Sequence, residues 1–370
     1  MTARAPRTKK PAARRQRLPV AVLTGFLGAG KTSLLRRLLA SEQAGRTAVL
    51  VNEFGEVGID QLLVSPIAPD IVLLESGCIC CRIRGELKDA LVDLLDARAE
   101  GRLPPFARIV IETTGLAEPG PIHSTLAADP LLANQVVLER VITVVDAGNA
   151  RETHGRRPEW LAQVAAADII ALAKTDLATA AQIAALQALL AQLNPGAALM
   201  ATANLDGSAI AALFDRPVDR TAGLLPAAPS RKGRAKPGHD HKHDHKHDHD
   251  HAHEHDHGAV TSFTLVLDRR LDWTAFGVWL SALLHWHGDR ILRVKGILDT
   301  GTTGGEGERP LLLNGVQHTI HPPEHLPAWP GSDRRSRLVF ITDGLERATV
   351  ERSLAAWLAA ATGPKRARSA

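Results

Sequence analysis

Cysteine is scarce in this chain: three residues in 370, all of them between Cys78 and Cys81. A cluster so tight cannot staple a fold, so a disulfide scaffold is excluded. In a reducing compartment, such clustering points to metal or redox chemistry. No apolar run approaches the roughly 20 residues needed to span a bilayer. The basic N-terminal stretch also lacks an apolar core of signal-peptide length. A membrane partner is therefore not expected, and a cytoplasmic location is. Net charge is small at +4, which gives no reason to expect a nucleic-acid partner. The basic residues gather at the ends, from Arg4 to Arg17 and from Lys365 to Arg368, and read as solvated tails. No repeat period is present.

What is abundant is core-forming material. Hydrophobic residues make up 45% of the chain, enough for a sizeable core and about two domains. Residues 20–215 alternate apolar strand patterns with helix formers. The strand candidates are Val20–Leu23, Ala48–Val51, Ile71–Glu75, Ile109–Glu112, Val141–Asp146, Ile169–Ala173 and Ala198–Thr202. Helix patterns cover Thr32–Ala40, Gly85–Ala99 and Ala178–Leu193. Such alternation predicts an α/β fold with a mainly parallel sheet and helices on both faces.

Composition then changes. Residues 1–17 form a basic tail, 18–215 a first domain and 216–259 a linker rich in proline, glycine and histidine. Residues 260–362 read as a smaller α+β domain. Its strands are expected at Ser262–Leu267, Ile291–Ile297, Pro310–His318 and Leu338–Thr342, and its helices at Trp273–His285 and Leu345–Ala361.

The segment Gly25-Phe-Leu-Gly28-Ala-Gly30-Lys31-Thr32 follows an apolar strand and precedes a helix pattern. It is a phosphate-binding P-loop. Glycines let the backbone N–H groups turn inward, and the helix N-terminus adds favourable partial charge. Lys31 can reach the β- and γ-phosphates, and the Thr32 hydroxyl can ligate Mg²⁺. Arg108-Ile-Val-Ile-Glu112-Thr-Thr-Gly115 reads as a second motif. Glu112 can hold Mg²⁺ through water or orient the attacking water, and the Gly115 N–H can meet the γ-phosphate. The third is Ala173-Lys174-Thr175-Asp176, a variant of Asn-Lys-x-Asp. The Asp176 carboxylate can accept from the ring N–H and exocyclic amine of guanine, a pair that adenine lacks. Lys174 would lay its stem along the purine. Ala173 stands where an asparagine is usual and removes an amide that ties loops together.

Cys78, Cys80 and Cys81 can bind Zn²⁺ or Cu(I) and leave a fourth position open. A redox pair and inert buried thiols are the other readings. Residues 239–257 carry ten histidines in strict alternation with other residues, mostly charged. That tract, including His241, His243, His245, His247, His249 and His251, is suited to weak and repeated capture of Zn²⁺, Ni²⁺ or Co²⁺. A merely solubilising linker is the plain alternative. His285 and His287, beside Trp286, read as helix-end residues rather than ligands.

Taken in order, the P-loop, Asn52-Glu-Phe-Gly55, Gly77-Cys-Ile-Cys-Cys81, Glu112-Thr-Thr-Gly115 and the Lys174/Asp176 pair resemble the CobW family of P-loop GTPases. Arg293-Val-Lys-Gly-Ile297 and Leu311-Leu-Leu-Asn-Gly-Val-Gln317 resemble its C-terminal domain. The resemblance implies a metal-dependent GTPase that carries or inserts a metal. It maps the nucleotide contacts onto Gly28, Ala29, Gly30, Lys31, Thr32, Ser33, Lys174 and Asp176. It maps the metal ligands onto Cys78, Cys80 and Cys81, with Glu56 as a further ligand by analogy. Val51 stands where some relatives have another glutamate. The implied cofactors are GTP, Mg²⁺ and Zn²⁺ or Co²⁺. The implied partner is a client metalloprotein or metal-cofactor enzyme, with a homodimer as one option. A cobalt carrier for cobalamin synthesis, a nitrile hydratase activator, a passive metal store and an ATP-dependent kinase are the rivals. In competition at equal concentration, GTP should displace more of a bound fluorescent nucleotide than ATP does. Preferential displacement by ATP would place the chain with the kinases.

Overall fold

The computed structural model describes residues 17–41, 47–51, 72–75, 83–215, 219–224, 260–301 and 309–362. The elements of the first half run β1 (Leu18–Thr24), α1 (Lys31–Leu39), β2 (Thr47–Val51), β3 (Val72–Glu75), α2 (Ile83–Ala99), β4 (Arg108–Glu112), α3 (Pro119–Ala128) and α4 (Pro130–Gln135). They continue with β5 (Val136–Asp146), α5 (Ala150–His154), α6 (Pro158–Ala166), β6 (Ile169–Ala173), α7 (Ala180–Leu193), β7 (Ala198–Ala201) and α8 (Gly207–Asp215). The seven strands form one sheet in the order β3-β2-β4-β1-β5-β6-β7. β1 pairs in parallel with β4 and β5, and β2 pairs in parallel with β3 and β4. The α/β fold expected from the strand–helix alternation is therefore present.

Local chemistry accounts for these elements. β2 and β4 are buried along their whole length, as near-continuous apolar runs in a covered parallel sheet should be. α7 opens with a capping box between Thr179 and Gln182. β5 begins five residues earlier than its apolar run Val141–Val145 indicates. Glu139 and Arg140 hide that extension in the sequence. Arg140 is fully buried, donates to the Leu213 carbonyl at 2.9 Å and pairs with Glu139 at 3.0 Å.

By compactness the chain divides into two units. The first comprises the described residues up to Asp146 together with 171–174 and 201–215. Its core packs Val20, Val22, Leu50, Ile109 and Ile111 of the sheet against Leu87, Leu91, Leu94 and Leu95 of α2 and Ile122 and Leu126 of α3. The second comprises Ala147–Ile170, Thr175–Met200 and the described residues from 219 onward.

Within the second unit, the C-terminal elements are β8 (Val260–Leu267), α9 (Trp273–His287), β9 (Ile291–Leu298), β10 (Leu311–Val316), β11 (Thr319–Ile320), β12 (Glu324–His325), β13 (Ser336–Asp343) and α10 (Arg347–Thr362). They build an antiparallel sheet in the order β11-β10-β9-β13-β8, with β12 also pairing β10. α9 and α10 pack on it through Phe276, Trp279, Leu280, Leu354 and Leu358. The Trp279 indole donates to the Ser353 hydroxyl at 3.0 Å. The two-residue strands β11 and β12 went unforeseen, because a pair of residues carries no readable period. Phe276 is fully buried and stacks at a tilt 5.5 Å from Trp279. Phe276→Ala should therefore cost about 3–5 kcal/mol. Urea denaturation should place the variant's transition well below that of the wild type, and an unmoved midpoint would contradict this core.

Candidate functional site

The phosphate loop leaves β1 at Thr24 and enters α1 at Lys31. Gly25 is obligatory on two counts. Its φ of 141° is open to glycine, and a Cβ there would lie 2.3 Å from the Val144 carbonyl oxygen. α1 starts behind Gly30, which is in the left-handed conformation. No side chain caps it and no acidic residue sits in its first turn. The N–H groups of the first turn and the positive end of the helix dipole therefore face a region suited to an anion. Lys31 is buried, and its ammonium donates to the carbonyls of Gly25 at 2.8 Å and Phe26 at 3.3 Å. The lysine is thus held folded over the loop.

The Thr32 hydroxyl donates to Glu112 Oε1 at 2.6 Å. Glu112 is only 3% exposed and ends β4. Two hard oxygen donors so close, at a helix N-terminus, fit Mg²⁺ by the chemistry of the donor set. The strand end is pinned further. The Thr113 N–H donates to the Leu23 carbonyl at 3.0 Å, and its hydroxyl donates to Thr24 Oγ1 at 2.9 Å. Gly115 then passes under the phosphate loop. A Cβ at that position would lie 2.5 Å from the Leu27 nitrogen and 2.6 Å from its Cα. Leu27 itself is 57% exposed.

Lys174 follows β6 with a φ of 56° and reaches back to the loop. Its ammonium donates to the Gly28 carbonyl at 2.7 Å and pairs with Asp146 at 2.8 Å. Ala173 stands beside the loop as well, since a Cβ on Gly30 would come 3.7 Å from the Ala173 methyl. The tie that an asparagine amide would have made is thus supplied in part by Lys174. Asp176 lies exposed on the 3₁₀ turn Thr175–Leu177. Asp146 was missed by sequence reasoning. The available signal was a carboxylate at the C-terminal end of the apolar strand β5, the edge at which open α/β sheets bind ligands.

Gly25, Gly28, Ala29, Gly30, Lys31, Thr32, Ser33, Glu112, Gly115 and Lys174 all belong to the first unit, around the C-terminal ends of β1, β4 and β6. Strand register extends this arrangement. Leu23 aligns with Glu112, Glu112 with Val51, and Val51 with Glu75. Segment 52–60 follows Val51 in the chain, and the cysteine segment begins two residues after Glu75. Both segments therefore depart from the same row as Glu112. At about 4.8 Å per strand, Glu75 stands roughly 10 Å along that row from Glu112. Cys78, Cys80, Cys81, Glu56 and the histidines from His241 to His251 lie outside the described residues. Among the described residues, no group of three or more His, Cys, Asp or Glu is placed to hold a metal ion. No described helix is long and apolar enough to cross a membrane.

Comparison with known proteins agrees with this geometry. Residues 19–201 match the family model "CobW/HypB/UreG, nucleotide-binding domain", and residues 260–358 match "Cobalamin synthesis protein cobW C-terminal domain". The chain is 35% identical over 324 residues to the zinc chaperone YjiA of Escherichia coli (strain K12), covering 88% of this chain and 93% of that protein. It is 36% identical over 184 residues to zinc-regulated GTPase metalloprotein activator 1 of Schizosaccharomyces pombe, covering 48% of this chain and 44% of that protein. Among solved structures, the Zn(II)-bound YjiA GTPase from E. coli superposes with a TM-score of 0.63 at 28% identity, covering 92% of this chain and 99% of that chain.

Gly115→Ala should lower the thermal transition and raise the KM for nucleotide at least about tenfold, because the added methyl must displace the Leu27 backbone and the loop behind it. Steady-state hydrolysis assays alongside a melt would check this, and an unchanged KM would contradict the close approach.

Proposed function

This chain belongs to the CobW family of P-loop GTPases, and from that premise we propose that it couples GTP hydrolysis to the delivery of a divalent metal ion, Zn²⁺ first, to a client metalloprotein. The observation that carries the proposal is the single row Leu23–Glu112–Val51–Glu75. It starts the phosphate loop, the Glu112 motif, segment 52–60 and the cysteine segment from one edge of one sheet.

The backbone N–H groups from Gly28 to Ser33 bind the phosphates, with Lys31 on the β- and γ-oxygens. Thr32 and Glu112 would hold Mg²⁺, which supplies neutralisation of the charge that develops on the transferred phosphoryl group. Orienting the attacking water is the alternative role for Glu112, and the Gly115 N–H would meet the γ-phosphate. Asp176 selects guanine and Lys174 fixes the loop beneath it. Cys78, Cys80 and Cys81 hold the cargo metal as thiolates, Glu56 adds an oxygen ligand, and the histidine tract 239–257 raises the local metal concentration. Contacts to the γ-phosphate order segment 52–60 and the cysteine segment together, and hydrolysis releases both. Co²⁺ is the alternative cargo, since thiolate and imidazole accept it as well.

Cys80→Ala/Cys81→Ala should abolish stoichiometric zinc binding at submicromolar concentration and change GTP affinity less than about threefold. Competition against a chromogenic chelator, with a parallel nucleotide titration, reads both. Retention of one tightly bound zinc in the double variant would overturn the cysteine assignment.

A further inference from the structure

β6 carries the nucleotide-facing segment at its exit and a buried charge cluster at its entry. It starts at Ile169 and ends at Ala173, and Asp176 follows on the turn Thr175–Leu177. The residue that enters β6 is Asp168. Two cations from β9 bracket its carboxylate. Arg293 Nη2 is 2.5 Å away and Lys295 Nζ 3.3 Å away. Residues two apart on a strand share a face, so the spacing Arg-x-Lys aims both side chains at one carboxylate. Both are almost wholly buried, at 2% and 7% side-chain exposure.

The same guanidinium closes the helix before the strand. Arg293 Nη1 donates to the carbonyls of Ala166, of Ala167 at 2.9 Å and of Ala165 at 3.4 Å, the last turn of α6 and the residue after it. The Asn194 amide donates to the carbonyls of Val164 at 2.9 Å, Ala165 at 3.1 Å and Ala167 at 2.9 Å. The Asp168 carbonyl accepts from the Ala198 N–H at 2.9 Å. The negative end of α6 and the start of β6 are thus clamped by side chains rather than by water. Burial and the neighbouring Arg293 press Lys295 down to about 8, with Asp168 opposing.

Two buried cations around one carboxylate are a poor way to gain stability, because apolar replacements of similar shape often serve as well or better. Their best-attested use is to fix register. A strand entry fixed by charge sets where its far end lies, and hydrogen bonds to a base tolerate only a few tenths of an ångström. We infer that Arg293 and Lys295, on a strand of the C-terminal sheet, are positioning residues for guanine recognition, acting on Asp176 by fixing Asp168 at the entry of β6. This rests on the reading of Asp176 as the residue that selects guanine.

The test uses the full chain and compares GTP with ITP, which lacks only the exocyclic amine, and with ATP. The wild type should prefer GTP over ITP by roughly tenfold in KM, the worth of one hydrogen bond to a carboxylate. Lys295→Met leaves the Arg293–Asp168 pair intact. It should lower that ratio at least about threefold with kcat at saturating GTP and the KM for ATP unchanged. Asp168→Asn should do the same more strongly, and Lys295→Arg should restore the ratio. If the wild type discriminates and Lys295→Met keeps the full ratio, or loses GTP and ATP affinity in parallel, the inference is overturned. If the wild type itself does not prefer GTP over ITP, the Asp176 reading fails first and takes the inference with it.

Discussion

Strand register is the constraint from which the site follows. A parallel sheet delivers every strand end of one sense to the same edge, and Leu23, Glu112, Val51 and Glu75 stand in one row along it. The chain has little choice about what it can place there. Close packing at that edge excludes side chains at Gly25 and Gly115, where an added Cβ would meet backbone at 2.3 and 2.5 Å. Glycine at these two positions is therefore what lets the phosphate loop, Val144 of β5 and the segment after β4 lie against one another. The 2.6 Å contact between Thr32 and Glu112 then joins the start of α1 to the end of β4. A change at the phosphate end is felt at once by the strand next to β2, and segment 52–60 follows β2.

Charge is used differently at the two ends of β6. At the exit, Lys174 is 39% exposed in its side chain and pairs with Asp146. Water screens such a pair, so its worth lies mostly in holding the Gly28 carbonyl. At the entry, Arg293 and Lys295 are buried and Asp168 is 11% exposed in its side chain, and loss of the carboxylate would leave two buried cations without it. Soft contacts thus lie where a nucleotide must come and go, and hard ones where the strand must not slide. The chain is a GTPase of a family whose relatives include zinc chaperones, and this division suits a protein that must turn over while holding its recognition elements in place.

Much of this was legible beforehand, for physical reasons. A strand buried over nearly all its length reads as an unbroken apolar run, so Ile169–Ala173 was located to the residue. The P-loop was legible because phosphate binding leaves few residue types free. β5 was cut short because Glu139 and Arg140 break its apolar run, and only the fold reveals that Arg140 is buried and bonded. Asp146 showed only as a carboxylate at the end of an apolar strand, and for neither it nor Asp168 did the sequence name a partner. Their partners lie 28 residues away at Lys174 and 125 away at Arg293, and pairing over that range is decided by topology. The Arg-x-Lys of β9 was visible as a family motif, but its target was not, since nothing in a strand's sequence names the helix end it will cap.

The central claim is that nucleotide turnover, not nucleotide presence, sets the metal free. The direct measurement loads the full chain with one equivalent of zinc and mixes it rapidly with a chromogenic chelator, in the presence of Mg²⁺ and either GTP or a non-hydrolysable GTP analogue. The account predicts that zinc is retained with the analogue and released with GTP at the rate of phosphate formation. Equal release rates with the two nucleotides would contradict it and leave a metal store whose nucleotide serves only the fold.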